Sequence, residues 1–273
     1  MVRIEMLAVG RELLIGRTLN TNAQWLGRRL ARRGTLLTKI TTIDDDLGEI
    51  AAGLRECLER RPDFLIIVGG LGPTPDDMTL KGVSKGIGKK LRLNVLALSM
   101  IREHYVKRNL GNLEMTPARR KMAIMPVGGT PVRNLIGTAP GVRLELPSTT
   151  IFCLPGVPSE MKSIFSESVE PEITEKLGKL HRKYISLKLE GIYESALAPL
   201  IKTELRRHPG AYIKSHPRGI REGKSRIELD VAVVSEHRKQ AEELAVRIVR
   251  EIRGAIEAAG ARVISERGTG LKQ

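Results

Sequence analysis

Hydrophobic residues in the first half of the chain alternate between short apolar runs and segments with helical spacing. The short runs at 2–9, 36–43 and 64–68 predict strands, and the spacing within 21–33 and 47–60 predicts helices. Residues 64–68 (FLIIV) are apolar throughout, which is typical of a parallel strand that is covered on both faces. The pattern therefore predicts strands and helices in alternation.

The same order continues to about residue 165. The further predicted elements are a helix from Thr79, a helix over 95–108, a strand end at 121–126, a strand pair at 142–146 and 150–154, and a helix within 155–165. Pro147, Ser148 and Thr149 join the strand pair, which indicates an antiparallel hairpin. Together these elements predict a three-layer α/β domain over 1–170 with a mostly parallel sheet.

The second half of the chain has a different order of elements. Residues 171–182 are predicted to be a charged helix or linker. The elements after it are a strand at 184–192, a helix at 195–207, extended chain at 211–217, a strand at 226–235 and a helix at 237–259. This order predicts a small α+β domain over 183–263, followed by a tail at 264–273.

The chain is strongly basic, and its charge suggests an anionic partner. Of its 273 residues, 46 are Lys or Arg and 31 are Asp or Glu, so the formal net charge is +15. Such a charge attracts nucleic acid or phosphorylated small molecules, although a solvated arginine-rich surface gives the same count. Aromatic residues make up only 3% and are not interleaved with the basic ones, which disfavours a stacking platform for single strands.

Cysteine content and hydropathy exclude other classes of protein. Cys57 and Cys153 are too few for a disulfide framework or a zinc cage. No apolar stretch approaches the ~20 residues that cross a bilayer. The first ten residues lack the order of a signal peptide. We therefore expect a cytoplasmic protein with no membrane partner.

Four loops follow predicted strands at the carboxyl edge of the predicted sheet, where open α/β sheets bind ligands. They are 10–22, 44–46, 67–79 (IVGGLGPTPDDMT) and 155–160. Glycine-rich turns that lead into helices let backbone N–H groups approach a phosphate. The P-loop motif and a G-x-G-x-x-G after the first strand are both absent, which argues against a P-loop NTPase and a dinucleotide-binding oxidoreductase.

The carboxylates in these loops have different predicted roles. Asp46 precedes a helix and has Glu49 three residues later, which indicates an N-cap with its reciprocal partner. Asp45 is then the better candidate for chemistry. Asp76 and Asp77 also precede a helix, so either can be a cap. By topology, Asp45 and Asp77 form the pair that would hold a divalent cation against ligand phosphates.

Other candidates come from the same loops, which contain none of the five histidines, so a histidine-based metal site is disfavoured. Asn20 and Asn22 can read a ribose or a base edge or can simply cap a helix, and Ser159 with Glu160 can bind a ligand or start a helix. The predicted ligand- or phosphate-binding residues in these loops are Arg11, Glu12, Asn20, Asn22, Gly69, Gly70, Leu71, Gly72, Pro73, Thr74, Gly156, Ser159 and Glu160, and Gly137 and Thr138, which lie outside them, complete the set.

Four ordered motifs resemble the competence/damage-inducible CinA family, in its short archaeal-type form. They are AVGRELLIGRTLNTNAQWL (8–26), GGLGPTPDDMT (69–79), GTAPG (137–141) and LPGVPSEM (154–161). In addition, GIYESALAPLI (191–201) is similar to the start of the small KH-like domain that follows in CinA proteins.

The resemblance implies a MoaB/MogA-like molybdopterin-binding fold for the first domain. In that superfamily an aspartate after the second strand and another after the glycine-rich loop contribute to the ligand site, and these match Asp45 and Asp77. For CinA proteins it implies a divalent-metal-dependent ADP-ribose pyrophosphatase. The C-terminal domain that deamidates nicotinamide mononucleotide in longer members is expected to be missing, and relatives suggest dimers or trimers.

Three positions depart from the family pattern. Arg11 replaces Thr or Asn and would add positive charge beside a phosphate. Asp44 replaces a glycine and adds a third carboxylate to the loop. Lys81 stands where relatives often have Glu, a change that bears on catalysis more than on binding.

The sequence thus favours metal-dependent hydrolysis of the pyrophosphate in ADP-ribose-like nucleotides. Asp45 and Asp77 are the predicted catalytic and metal-binding residues, with a divalent ion of the Mg²⁺ or Co²⁺ type and a monovalent cation as a further candidate. One alternative is molybdopterin binding or adenylylation in the same fold. Another is a non-catalytic nucleotide- or nucleic-acid-binding protein, but 219–223 (GIREG) is one residue too long for a G-x-x-G clamp and lies between predicted strands.

Overall fold

The computed structural model describes residues 2–108 and 114–269. The chain divides into two units, with the boundary between Leu177 and Gly178, and residues 32–34 are grouped with the second unit. Among the described residues, no helix combines the length and the apolar character needed to cross a bilayer.

The first unit is built on a six-stranded sheet. Its strands, in spatial order, are β2 (Leu37–Ile43), β1 (Ile4–Val9), β3 (Phe64–Val68), β8 (Thr150–Leu154), β7 (Gly141–Glu145) and β6 (Thr130–Val132). The pairs among the first four strands are parallel and the last two pairs are antiparallel. A separate antiparallel pair consists of β4 (Leu91–Leu93) and β5 (Ile124–Pro126). The predicted mostly parallel sheet and the hairpin at its far side are confirmed.

Helices cover both faces of this sheet. They are α1 (Arg11–Leu14), α2 (Thr21–Arg32), α3 (Leu47–Glu59), α4 (Thr79–Gly86), α5 (Val95–Lys107), α6 (Pro117–Lys121), α7 (Pro158–Ile164) and α8 (Glu170–Leu177), with a π-helical segment, Phe165–Val169, joining the last two. In β3, Leu65 and Ile67 join a core with α3, α4 and α5. Phe64, Ile66 and Val68 join a second core with α2, α7 and α8. The three-layer α/β arrangement is confirmed.

The segment 171–182, expected to be a charged helix or linker, includes most of α8. Ile173 on this helix is fully buried in the second core cluster, and Lys176 forms an ion pair with Asp63 at 2.9 Å. These contacts make α8 an integral part of the first unit.

The second unit is an antiparallel sheet with two helices. Its elements are β9 (His181–Glu190), α9 (Glu194–Arg207), β10 (Ala211–Arg221), β11 (Lys224–Ser235), α10 (Arg238–Ala258) and β12 (Arg262–Thr269), and its strand order is β10, β11, β9, β12. Clean alternation along β11 places Ile227, Leu229, Val231 and Val233 in one core with both helices. The predicted α+β character is present, and the finer likeness to a KH domain stays a prediction.

The strand β12 corrects the sequence interpretation of residues from 264 onward as a tail. Arg262–Thr269 pairs with β9, and a shift in register lies between Val263 and Ser265. Charged and small residues at 265–268 hide the apolar alternation that identifies a strand, so pairing with β9 decides the conformation. Residues 270–273 lie outside the described residues. The 219–223 segment spans the end of β10 and the turn to β11, between strands as expected.

Candidate functional site

The strand order reverses on either side of β1, because β2 lies on one side of it and β3 on the other. Ligands of open α/β sheets bind at the carboxyl ends of the strands at such a reversal. A cavity of about 250 Å³ lies there. It is lined by loops after β1, β2, β3 and β8, and its polar lining side chains are Glu12, Thr18, Asn20, Thr21, Asn22, Asp45, Asp76 and Asp77.

The cavity is acidic although the chain is basic. Four carboxylates line it, those of Glu12, Asp45, Asp76 and Asp77, and none of the described lining residues is Lys, Arg or His. A wall of carboxylates attracts cations and repels a bare phosphate. The cavity is therefore negatively charged, as a cation-binding site is, and it lies where open α/β sheets bind their ligands.

Asp77 is held in place by its own loop. Its Oδ2 accepts hydrogen bonds from the backbone N–H of Thr74 at 2.9 Å and from the Thr74 hydroxyl at 2.6 Å. A Cβ at Gly72 would lie 2.5 Å from the same oxygen, so a side chain there would displace the carboxylate. The Lys121 ammonium donates to the carbonyl of Thr74 and, at 3.4 Å, to that of Gly72. These contacts fix the loop that presents Asp77.

The paired glycines after β3 serve close packing of the backbone. Gly69 and Gly70 have φ angles of +112° and +64°, a region that favours glycine. A Cβ would lie 2.2 Å from the Val9 carbonyl oxygen at Gly69 and 2.4 Å from the Thr79 hydroxyl at Gly70. The buried Thr79 hydroxyl donates to the Gly69 carbonyl at 2.7 Å. Thr79 is a positioning residue that the sequence did not reveal, because its partner is defined only by the turn.

The three aspartates after β2 have three different roles. Asp46 caps α3 by accepting hydrogen bonds from the N–H groups of Gly48 at 2.6 Å and Glu49 at 3.1 Å, which confirms the predicted cap. Asp44 is not among the residues that line the cavity, and it accepts hydrogen bonds from Arg11. Only Asp45 lines the cavity.

The neighbouring groups shift the pKa values of Asp44 and Asp45 in opposite directions. Hydrogen bonds from the Arg11 guanidinium lower the pKa of Asp44 to about 2. Hydrogen bonding with the Asp44 side chain, together with burial, raises the pKa of Asp45. Asp44 is thus fully ionised at neutral pH, and Asp45 accepts a proton more readily than an ordinary aspartate.

Asn22 connects two of the loops and retains one free acceptor. Its Nδ2 donates to the Gly156 carbonyl at 2.8 Å, so it joins the loop after β1 to the loop after β8. Its Oδ1 is buried and has no hydrogen-bond partner among the described residues. Asn20 accepts from the Ala23 N–H at 2.9 Å, as a helix cap does.

The first unit also matches a known family of domains. Residues 5–175 match a family described as a probable molybdopterin binding domain. The chain belongs to this family. Its α/β fold with a mostly parallel sheet is the MoaB/MogA-like fold.

Sequence similarity to two archaeal proteins extends over most of the chain. A protein of Aeropyrum pernix is 38% identical over 97% of each chain, and one of Metallosphaera sedula is 40% identical over 90% of this chain and 91% of its own. Among solved structures, a CinA protein of unknown function from Thermoplasma acidophilum is 40% identical with a TM-score of 0.58. That likeness covers 63% of this chain and 98% of the Thermoplasma chain.

The remaining predicted site residues of the molybdopterin-binding domain lie elsewhere. Leu71 and Gly72 line an adjoining cavity of about 50 Å³ with Lys81 and Lys121. Burial lowers the pKa of Lys121. Thr138 lines a separate cavity of about 100 Å³ beside His104.

Five further predicted residues have structural partners or face solvent. Glu160 accepts a hydrogen bond from Asn134 at 2.7 Å and packs against Gly137, where a Cβ would lie 2.0 Å from it. Pro73 and Ser159 are exposed, and neither they nor Arg11 is among the residues that line the acidic cavity.

The donors of the acidic cavity fit a magnesium-type ion. Mg²⁺ is commonly bound by one or two carboxylates, waters and substrate phosphates. Among residues 2–108 and 114–269, the three lining aspartates do not bring three ligand oxygens within 4.8 Å of one another, so they form no all-protein cage. Asp45 and Asp77, from two different loops, are the residues that would hold such an ion together with a phosphorylated ligand.

Proposed function

We propose that the chain is a CinA-type enzyme that hydrolyses the pyrophosphate of ADP-ribose-like nucleotides with a divalent cation. The observation that carries the proposal is the acidic cavity, where Asp45 and Asp77 come from different strand ends and no described lining residue is basic. Because carboxylates repel phosphates, an anionic ligand can enter such a cavity only with cations that offset the charge. The likeness to the Thermoplasma CinA protein supports the family assignment.

Several groups of the chain would bind and orient the nucleotide. The α4 helix has no side-chain cap, so the N–H groups of its first turn after Thr79, whose own N–H donates to the Gly70 carbonyl at 3.2 Å, would be open to an anion. The unpartnered Asn22 Oδ1 is suited to a ligand hydroxyl or N–H donor. A divalent cation, when bound, would neutralise charge on the phosphates.

Water activation would fall to one of the lining carboxylates. No histidine is among the described lining residues, so a proton from the attacking water would pass to an aspartate or to Glu12. Because Asp45 and Asp77 would hold the cation, Asp76 and Glu12 are the lining carboxylates left for that role. Hydrolysis would release AMP and ribose 5-phosphate.

The test of the proposal is AMP release from ADP-ribose. Purified protein is incubated with ADP-ribose and each of Mg²⁺, Mn²⁺ and Co²⁺, and AMP is quantified by chromatography, with a chelator as the control. Metal-dependent AMP formation supports the proposal. No AMP with any of the three ions would refute hydrolysis of this substrate.

A second candidate is molybdopterin binding or adenylylation, which the family match over 5–175 favours. The same cavity would take the pterin phosphate with a cation. Its test is the oxidised, fluorescent pterin released on denaturing the purified protein. Retained pterin without ADP-ribose hydrolysis would favour this candidate.

The assembly and a third candidate remain proposals as well. We expect a homodimer or homotrimer, which sedimentation measures directly. For the non-catalytic nucleic-acid-binding alternative, tight RNA or DNA retention that weakens steeply with salt and is insensitive to Asp77→Ala is the expected sign.

A further inference from the structure

Three metal-binding side chains meet within the second unit. Glu204 lies on α9, His208 is four residues later at the end of that helix, and Glu251 lies on α10. One ligand atom from each lies within 4.8 Å of the other two. No other group of three His, Cys, Asp or Glu side chains has this spacing among residues 2–108 and 114–269.

The Glu204 carboxylate is buried with one oxygen unused. Its side chain is only 6% exposed. The Oε1 atom accepts a hydrogen bond from Arg207 at 3.1 Å, while Oε2 has no hydrogen-bond partner among the described residues. Buried polar atoms are nearly always satisfied, so an unused carboxylate oxygen that faces an imidazole points to a missing ligand.

The distances suit one shared ion. Zn²⁺ bonds to histidine nitrogen and carboxylate oxygen are each about 2.0–2.2 Å, so two ligand atoms of one ion lie at most about 4.3 Å apart. The separation of Glu204 Oε2 from His208 Nε2 is 4.0 Å, too long for a hydrogen bond but within that limit. Small side-chain rotations would close the group around an ion.

Neighbouring charges leave room for a cation. Arg207 Nη1 contacts Glu204 Oε1 at 3.1 Å and Glu251 Oε2 at 3.3 Å, but its side chain is 59% exposed and it leaves Glu204 Oε2 unpaired. Burial and the charge of Glu251 raise the pKa of Glu204. A bound cation would relieve the repulsion between the two carboxylates.

We propose that Glu204, His208 and Glu251 bind a divalent transition-metal ion of the Zn²⁺ class. The imidazole favours such ions over Mg²⁺, which prefers oxygen ligands only. Three protein ligands leave a fourth position for water. Because the ligands come from α9 and α10, the ion links two helices that pack on the same core, and it stabilises the folded unit.

The test is a Zn²⁺ titration of the full chain after removal of metals with a chelator. Calorimetry gives the affinity, the thermal midpoint gives the stabilisation, and the visible absorption of bound Co²⁺ reports a protein-bound site. In His208→Ala and in the isosteric Glu204→Gln, we expect Zn²⁺ affinity to fall at least about 10-fold and the metal-induced rise in midpoint to disappear. His237→Ala, which removes an exposed histidine of the same unit, is the matched control and keeps both.

Two results would overturn this site. One is a Zn²⁺ affinity and midpoint shift in both variants equal to those of wild type. The other is a stabilising Glu204→Gln substitution with no Zn²⁺ effect on wild type, which would show that the carboxylates share a proton instead. AMP release from ADP-ribose, measured in parallel, stays unchanged in Glu204→Gln, so the outcome is independent of the proposed hydrolysis.

Discussion

Arg11 and Asp44 form a two-point ion pair across the loops after β1 and β2. The Arg11 Nη2–Asp44 Oδ2 distance is 2.8 Å and the Nε–Oδ1 distance is 3.0 Å. Both residues are predicted departures from the CinA-like pattern, and each is the partner of the other. The arginine therefore neutralises the added aspartate, and Asp45 remains the carboxylate of this loop that lines the cavity.

Removing the arginine should change the titration of Asp44. In Arg11→Ala we expect the pKa of Asp44 to rise from about 2 toward its ordinary value of 3.8, because the hydrogen bonds from the guanidinium are the largest cause of the depression. In wild type, this depressed pKa gives stability that is present above about pH 4 and lost as the pH falls toward 2. Carboxyl NMR titration measures the shift, and Arg17→Ala is the control. An unchanged Asp44 pKa would contradict the assigned pairing.

The Thr74 hydroxyl should affect the site through Asp77. In Thr74→Val the 2.6 Å hydrogen bond to Asp77 Oδ2 is lost, while the 2.9 Å bond from the backbone N–H remains. We expect about a 3- to 10-fold loss of kcat/KM for ADP-ribose, because Asp77 is then less well oriented. Thr74→Ser keeps the hydroxyl and should retain most activity. Equal losses in both variants would show that the hydroxyl is not what matters.

The buried turn after β3 should depend on Thr79. In Thr79→Val the hydroxyl that donates to the Gly69 carbonyl is replaced by a methyl group of similar size. The unsatisfied buried carbonyl should lower the free energy of unfolding by about 1–3 kcal/mol. Urea denaturation measures this, and Thr79→Ser, which keeps the donor, should lose less. A valine variant as stable as wild type would show that the carbonyl finds another donor.

Two arginine–glutamate pairs should differ in their contribution to stability. Glu5 is only 6% exposed and accepts hydrogen bonds from both Nε and Nη2 of Arg60. Arg60→Met should lower the free energy of unfolding by about 2–4 kcal/mol, because it leaves a buried charge without this partner. Arg133→Met, which breaks an exposed pair with Glu103, is the control and should have little effect. Similar losses in both would contradict the role of burial.

Sequence patterning predicted elements best where burial alone defines them. The strand at 64–68 has the predicted bounds because every residue of FLIIV is buried. The strands β4 and β6 have three residues each, too few for a periodic pattern, and they were not predicted. The β12 strand was missed because its stability comes from pairing with β9 rather than from its own apolar alternation.

The candidate site, like the fold, was predicted only in part from the sequence. Topology predicted that Asp45 and Asp77 belong to one edge of the sheet, because the loops after parallel strands meet there. The residues that contact and orient these loops could not be predicted from the sequence pattern. The Arg11–Asp44 pair spans 33 residues and the contact of Lys121 with Gly72 spans 49, so both exist only once the chain has folded. That none of the described residues lining the cavity is basic could also be seen only in the structure.

The most direct test of the account is a double-substitution cycle on Asp45 and Asp77. The kcat/KM for AMP release from ADP-ribose is measured at saturating Mg²⁺ for Asp45→Asn, Asp77→Asn and the double variant. Glu49→Gln, which changes an exposed carboxylate outside the cavity lining, is the control, and urea denaturation confirms folding. If the two aspartates hold one ion, each single substitution should reduce kcat/KM at least about 100-fold. The double variant should then have about the same kcat/KM as the less active of the two single variants. Wild-type activity in either single variant, or losses that add in the double variant, would contradict a shared site.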